Sequence, residues 1–333
     1  MRIGVDIMGG DSPPHVLFEA VIQYITQMGD AASLMVFATH EVIEGLRTNH
    51  AHAVRAVNFV TCSQVIGMDE NPISAVREKG NSSLVQGIDS LKEGLVDAFV
   101  SPGNTGALIV ASKLKLQMLP SIRRPALLAT LPTKKGTVSV VDVGGNVACK
   151  AQHLLQFALM GAAFQRCAHD NPTPRVGLLN IGVESLKGTP ELRKAYQELQ
   201  QIQEKHSINF VGNIEARELF KGEVDVLVTD GFSGNVLLKT AEGVSEFIFE
   251  SLHHRFRGQF SEEMHHQLNS FQRHFDYAEY PGALVCGVDG VVIKCHGSSS
   301  VLSLLNGIMG ASTLYEKEFL KKLKEELVVN TDS

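Results

Sequence analysis

Two segments 128 positions apart share one local grammar: VDAFVSPGNTG, from Val96 to Gly106, and VDVLVTDGFSGN, from Val224 to Asn235. Each is a short apolar, β-branched run that stops at Ser or Thr, passes through Gly and Asn, and resumes as a helix-like segment carrying a lysine. TVSVVDVGGN, from Thr137 to Asn146, repeats the pattern. A chain built this way feeds strands into helices, as layered α/β folds do. Gly at the junction lets backbone approach a ligand, and the following helix aims unpaired N–H groups and a positive dipole end at it. The implied ligand is an anion, most economically phosphate.

The rest of the chain fits the same architecture. Strand-like runs at 3–8, 34–38, 57–62, 98–100, 126–130, 138–143, 175–180, 208–211 and 224–229 alternate with helical segments, which predicts a largely parallel sheet with helices on both faces. Residues 283–288 and 291–294, joined through Asp289-Gly290, read as a hairpin. Segments 82–93 and 105–118 read as helices, and Thr189-Pro190-Glu191 supplies an N-cap, a Pro at the first helical position and an early carboxylate for another. No linker composition divides residues 1–333, so a single α/β domain is expected. Within it, residues 246–276 carry an apolar stripe (Leu252, Phe256, Phe260, Met264, Leu268, Phe271, Phe275) at helical spacing, interrupted at Gly258. That stripe suits a dimer contact or a core-facing surface first, and a membrane surface or a partner next. The segment's histidines (His253, His254, His265, His266, His274) suit a solvated face better than a metal site.

Composition removes several classes. A net charge of −6 gives no general attraction to nucleic acid. No run reaches the ~18 apolar residues of a membrane span, and Asp6 stands where a signal peptide would be apolar, so a cytoplasmic location is expected. The five cysteines include no C-x-x-C pair, and the common nucleotide, serine-hydrolase and zinc-protease signatures are absent. No metal and no cofactor are called for.

Chemistry-bearing residues cluster at the junctions. Asp6 and Asp11 flank Gly9-Gly10 after the first strand, as ligand-orienting groups or as turn and cap formers. Gly103, Asn104 and Thr105 combine backbone donors, an amide and a hydroxyl ahead of a helix. Asn146 closes the third junction. Glu184 and Lys187 would share a face if their loop were helical, and Lys239 follows Asn235 by four residues. At VVIKCHGSSS, Cys295 and His296 are neighbours in a strand and point to opposite faces, which argues against a thiolate–imidazole pair; Ser298 is the better anion donor.

In order, VDIMGGDSPP, NPISAVREKGNSS, SPGNTGAL, RRPAL, DVGGN, LLNIGVESLKG, DGFSGNVLLKTAEG and YPGALVCGVDGVVIKCHGSSS span nearly the whole chain. The set resembles the bacterial phosphate acyltransferases of the PlsX type. The chain departs from their pattern at Pro102 and Gly145, where Ala is usual, at Pro281, where Gly is usual, and at Ser185, where an acidic residue is common. The resemblance implies a three-layer α/β/α fold like that of isopropylmalate dehydrogenases and phosphotransacetylases, with a protruding helical segment at 246–276. It also implies a homodimer, association with the inner face of the membrane, and acyl transfer from acyl carrier protein to inorganic phosphate. A membrane-bound glycerol-3-phosphate acyltransferase is a further expected partner.

On that reading Gly103, Asn104, Thr105 and Ser298 cradle phosphate. Lys187 and Asn235 stabilise the transition state, His296 supplies an acid for the departing thiol, and Arg77, Lys79, Arg123 and Arg124 meet the acidic carrier. Asp6, Asp11, Asn146, Glu184 and Lys239 support them. Rival readings are a phosphotransacetylase-like enzyme using acyl-coenzyme A, a dehydrogenase on the same fold, and a scaffold that binds acyl carrier and membrane.

Overall fold

The apolar runs bury side chains on both faces of a sheet, and among the described residues eleven strands assemble into one. The computed structural model describes residues 1–29, 33–203, 208–256, 261–275 and 280–329. In chain order the elements are β1 (Arg2–Asp6), α1 (Pro14–Met28), β2 (Ser33–Thr39), α2 (His40–Asn49), β3 (Val57–Cys62), α3 (Pro72–Glu78), α4 (Ser83–Lys92), β4 (Ala98–Ser101) and α5 (Thr105–Lys115). There follow β5 (Ala126–Thr133), β6 (Gly136–Val141), α6 (Ala151–Ala168), β7 (Arg175–Leu179), α7 (Pro190–Ile202), β8 (Asn209–Ile214) and β9 (Val226–Val228). The chain ends with α8 (Gly231–Arg255), α9 (Glu262–Phe275), β10 (Ala283–Cys286), β11 (Val291–Lys294), α10 (Val301–Glu316) and α11 (Phe319–Val329).

Strand order is β3-β2-β1-β4-β11-β10-β5-β6-β9-β7-β8. Most ladders are parallel, as expected, and β10–β11 is the anticipated hairpin. The β10–β5 and β5–β6 ladders are also antiparallel. These three central reversals turn the sheet into two parallel halves running in opposite directions. The β5–β6 reversal was not anticipated, because its turn, Lys134-Lys135 ahead of Gly136 at φ 127°, lacks the Asn-Gly or Asp-Gly signal.

Strand alternation sorts the core into two clusters. Ile3, Val5, Ala98, Val100 and Leu128 face α1, α6 and α10 on one side. Phe37, Phe99, Leu127, Ala129 and Val292 face α3, α4, α5 and α8 on the other. The result is the expected three-layer α/β/α arrangement. Thr189 caps α7, accepting from Leu192 N at 3.3 Å, with Pro190 at the first helical position.

The segment expected to protrude differs in one respect. Its first helix is not separate: α8 runs unbroken from the Asp230 junction to Arg255, and α9 follows. Phe249 packs edge-on against Phe271 with ring centroids 6.0 Å apart, and His253 Nε2 lies 3.3 Å from Gln272 Oε1. The break expected at Gly258 and the stripe residue Phe260 lie outside the described residues, as do Asp276 and the side chains of His265, His266, His274 and Phe275. Among the described residues no helix is long and apolar enough to cross a membrane.

Candidate active site

On the α5/α8 face of the sheet, a cleft of about 380 Å³ opens where both helices begin. Its floor is the central strands, represented by Leu127, Ala283 and Lys294. One wall carries Asp11, Met68 and Thr105; the other carries Gly231, Phe232, Asn235, Lys239 and Glu242, with Val143 and Gly144 below and His296 and Gly297 at the end. All three Gly-rich junctions therefore reach one cavity. The N-termini of α5 and α8 both lie there, so two dipole ends favour an anion in it.

The loops around the cleft are locked together. The buried Asp6 carboxylate accepts from Met8 N at 2.9 Å and Ser101 Oγ at 2.8 Å, and Ser101 Oγ in turn accepts from Gly103 N at 3.0 Å. Burial pushes the Asp6 carboxyl above its ordinary range, against the pull of these donors. A β-carbon on Gly9 would stand 2.8 Å from Gly103 Cα, so glycine is what lets the two loops touch. Asp11 N donates to Gly297 O at 2.7 Å, joining the 296–299 loop to the same body. Asp11 does not cap α1; Pro13 occupies that position.

Gly103 and Asn104 have other duties than the expected phosphate contact. The Gly103 N–H is taken by Ser101. Asn104 Oδ1 caps α5 by accepting from Ala107 N at 3.0 Å, while Nδ2 donates to the carbonyls of Gly67, Met68 and Glu70 at 2.9–3.2 Å. Asn104 is a staple behind the cleft, and Thr105 is the junction residue that lines it. Lys79 is likewise engaged, bonding Val65 O at 2.9 Å and Glu70 Oε1 at 2.6 Å.

The third junction is a knot beneath Asn235. Asp142 Oδ1 accepts from Leu127, Gly144 and Gly145 N–H groups at 2.8–3.1 Å, and Asn146 Nδ2 bridges Asp142 Oδ2 and Pro125 O, each at 2.8 Å. The Asn146 amide is thus turned inward. Asn235 is exposed to the cleft, and among the described residues its side chain has no hydrogen-bond partner.

His296 and Ser298 sit together at the far end. Lys239 Nζ lies 2.8 Å from His296 Nε2 and 2.6 Å from Glu242 Oε2, while His296 Nδ1 lies 2.7 Å from Ser298 Oγ. An ammonium can only donate, so Nε2 accepts from Lys239, while Nδ1 faces both Ser298 Oγ and, at 3.2 Å, the Ser298 backbone N–H. Burial and the neighbouring Lys239 hold the imidazole below its ordinary pKa. That neutral state opposes the general-acid role expected from sequence. Cys295 points into the core, with Sγ 3.9 Å from Ser303 O, and burial pushes its thiol up to about 12.

Glu184 and Lys187 lie outside this cleft. Residues 181–187 are turns rather than a helix, and both side chains are exposed, flanking Gly182. Arg77 stands exposed on α3; Arg123 and Arg124 lie before β5, where Arg124 Nη1 bonds Ala148 O at 3.3 Å. Pro281, one of the departures from the family pattern, packs against Gly310 of α10 on the opposite face, away from the cleft.

Lys294 is the cleft residue that the sequence reading passed over. It is 6% exposed, and its Nζ donates to Pro102 O at 3.1 Å and to Cys295 O. The signal was there: a lysine closing an apolar strand with the same parity as buried Val292.

Fold and cleft define a three-layer α/β protein with two helix N-termini at one cleft, where the lining Cys295 turns its thiol into the core. Solved structures with this architecture include a phosphotransacetylase from Streptococcus pyogenes (TM-score 0.63, 16% identity, 95% of this chain and 94% of that one). Another is a branched-chain phosphotransacylase from Enterococcus faecalis V583 (TM-score 0.59, 15% identity, 94% and 99%). The family model described as "Fatty acid synthesis protein" matches residues 1–322. The curated phosphate acyltransferases of Chlamydia caviae and Desulforamulus reducens are 39% and 40% identical, covering 98% of this chain and 99% and 97% of theirs. The chain belongs to this family, the PlsX-type phosphate acyltransferases, and is an acyltransferase.

Proposed function

We propose that the protein transfers a long-chain acyl group from acyl carrier protein thioester to inorganic phosphate, giving acyl phosphate for phospholipid synthesis. The observation that carries this reading is one cleft served by two helix N-termini, a buried cation and an untethered amide, with the neighbouring thiol sealed in the core. A phosphate oxygen attacks the thioester carbonyl, the carbon–sulfur bond breaks, and the thiolate leaves and takes a proton from solvent. No covalent acyl-enzyme forms. Thr105, Ser298 and the first-turn N–H groups of α5 hold phosphate, and Asn235 donates to the carbonyl oxygen as charge grows there.

Lys187 keeps its proposed transition-state role on the strength of the LLNIGVESLKG motif. Its loop exposes Ile181, Val183 and Leu186, at 80%, 61% and 78%, and needs a covering surface. A second copy of the chain is the proposed cover, consistent with a homodimer. Exposed Phe247, Ile248, Met264 and Phe271 on α8 and α9 support contact with the membrane's inner face or with a glycerol-3-phosphate acyltransferase there.

The test mixes purified protein, long-chain acyl carrier protein and phosphate, and traps product with hydroxylamine. Phosphate-dependent hydroxamate is expected; its absence would leave the scaffold reading. Because a phosphotransacetylase and a phosphotransacylase share the fold, acyl-coenzyme A serves as the comparison donor, and a preference for it would select the second reading. Arg77, Arg123 and Arg124 are the proposed carrier dock. Raising ionic strength should therefore raise KM for the carrier substrate and leave the coenzyme A donor less affected.

A further inference from the structure

Lys294 presents a problem that the cleft itself can solve. Its ammonium is almost wholly buried, yet the groups it bonds are two neutral carbonyls, Pro102 O and Cys295 O. None of the ion pairs formed among the described residues includes it. A buried charge without a counter-charge is costly, and lysine has three donors, of which two are used here. Lys294 also forms part of the cleft floor, alongside Thr105 and His296 among the cavity's lining residues.

We infer that Lys294 is the cation that binds the phosphate substrate, directing its remaining N–H at an anion that sits against the first turn of α5. This rests on the functional reading above and adds to it a residue that the junction motifs do not contain. The arrangement explains why Pro102 O and Cys295 O both turn toward Nζ: they fix the ammonium at the ends of β4 and β11, so the third donor is aimed before phosphate arrives.

The charge balance around Nζ supports the assignment. Burial pushes the Lys294 ammonium down to about 8, and Lys239 of α8 pushes the same way. Cys295, Asp6 at the end of β1 and Asp11 in the following loop oppose this. Nearby His296 is held neutral and adds no charge, and Glu242 is taken by Lys239. Lys294 therefore loses its proton as pH rises through about 8, and affinity for phosphate should fall with it.

The experiment measures phosphate binding by titration calorimetry, separately from turnover, on the wild-type protein, Lys294→Met and Lys294→Arg. Lys294→Met should weaken phosphate binding and raise KM for phosphate by about 30-fold, the worth of one charge-assisted hydrogen bond, while KM for the acyl donor stays within about twofold. A melting curve checks that it folds, since it removes a buried charge but also leaves Pro102 O and Cys295 O without this donor. Wild-type affinity for phosphate should drop above about pH 8, and Lys294→Arg, which cannot titrate, should lack that drop. Equal phosphate affinity in wild type and Lys294→Met overturns the inference, whatever the turnover. Loss of binding in Lys294→Met without any acyl phosphate from wild type sustains the phosphate site and overturns the functional reading.

Discussion

Asn235→Ala should lower kcat by about 100-fold or more, the usual effect of removing one donor from a developing oxyanion, and leave KM for phosphate nearly unchanged. Asn235 lines the cleft in the first turns of α8, exposed and tethered to no described residue. Its removal leaves no buried group unpaired, so stability should change by no more than about 0.5 kcal/mol. A thermal melt beside steady-state kinetics separates the two effects. Asn235→Asp, which places an acceptor and a negative charge against the growing oxyanion, should be slower still. If Asn235→Ala turns over at the wild-type rate, the carbonyl oxygen is stabilised elsewhere. Lys187→Ala offers a contrast. It should fall in the same way if its loop meets the reaction, although that loop lies outside the cleft of its own chain.

The strand-to-helix junctions were legible because their signal is local. Gly and Asn after a β-branched run mark a turn wherever it occurs, and here the turns gather at one cavity. What each polar group at a junction bonds to was not legible. Asn104 and Asn235 belong to like motifs, yet the first caps α5 and staples the 67–70 loop, while the second is the fifth residue of α8, which Asp230 caps, and faces the cleft. The difference lies in whether another loop packs against the residue, which no spacing encodes. Lys79 and Lys294 err in opposite directions for the same reason: the first read as a docking charge and is tied to Glu70, and the second drew no attention and is the buried cation of the cleft.

Strand direction was similarly hidden. Period-two alternation fixes which face a residue occupies and says nothing about which way its strand runs. The reversal at β5 and β6 matters to the site, because with it the ends of β4 and β6 approach the central strands from opposite ends of the sheet. The proposed phosphate loop and carbonyl-binding helix thus belong to opposed halves, and a shared floor of β10, β5 and β11 lies between them. The proposed thioester chemistry asks that this floor be apolar to exclude water, and Leu127 and Ala283 are apolar there. Lys294 is the exception, which the inferred phosphate site would account for.

Gly234→Ala should be the most damaging single-carbon change in the wall. A β-carbon there would lie 1.9 Å from Asp142 O and 2.8 Å from Thr229 Cγ2, and the nearer obstacle is backbone at the end of β6. Thr229 Cγ2 belongs to a side chain, but the Asp142 carbonyl is backbone and cannot rotate away, so α8 must lift from the knot that Asp142 and Asn146 form. Overpacking of this kind costs about 3 kcal/mol. Asn235 is the next residue and moves with the helix, and a displacement of about 1 Å at a catalytic donor can cost on the order of 100-fold in rate. Gly243→Ala, farther along α8, provides the control: nothing lies within 4 Å of its added carbon. Replacing a mid-helix glycine there should stabilise the protein by about 0.5–1 kcal/mol and leave turnover unchanged. Thermal melts and hydroxamate formation on the pair test whether the close approach of α8 to β6 positions the amide. Wild-type stability and turnover in Gly234→Ala would show that it does not.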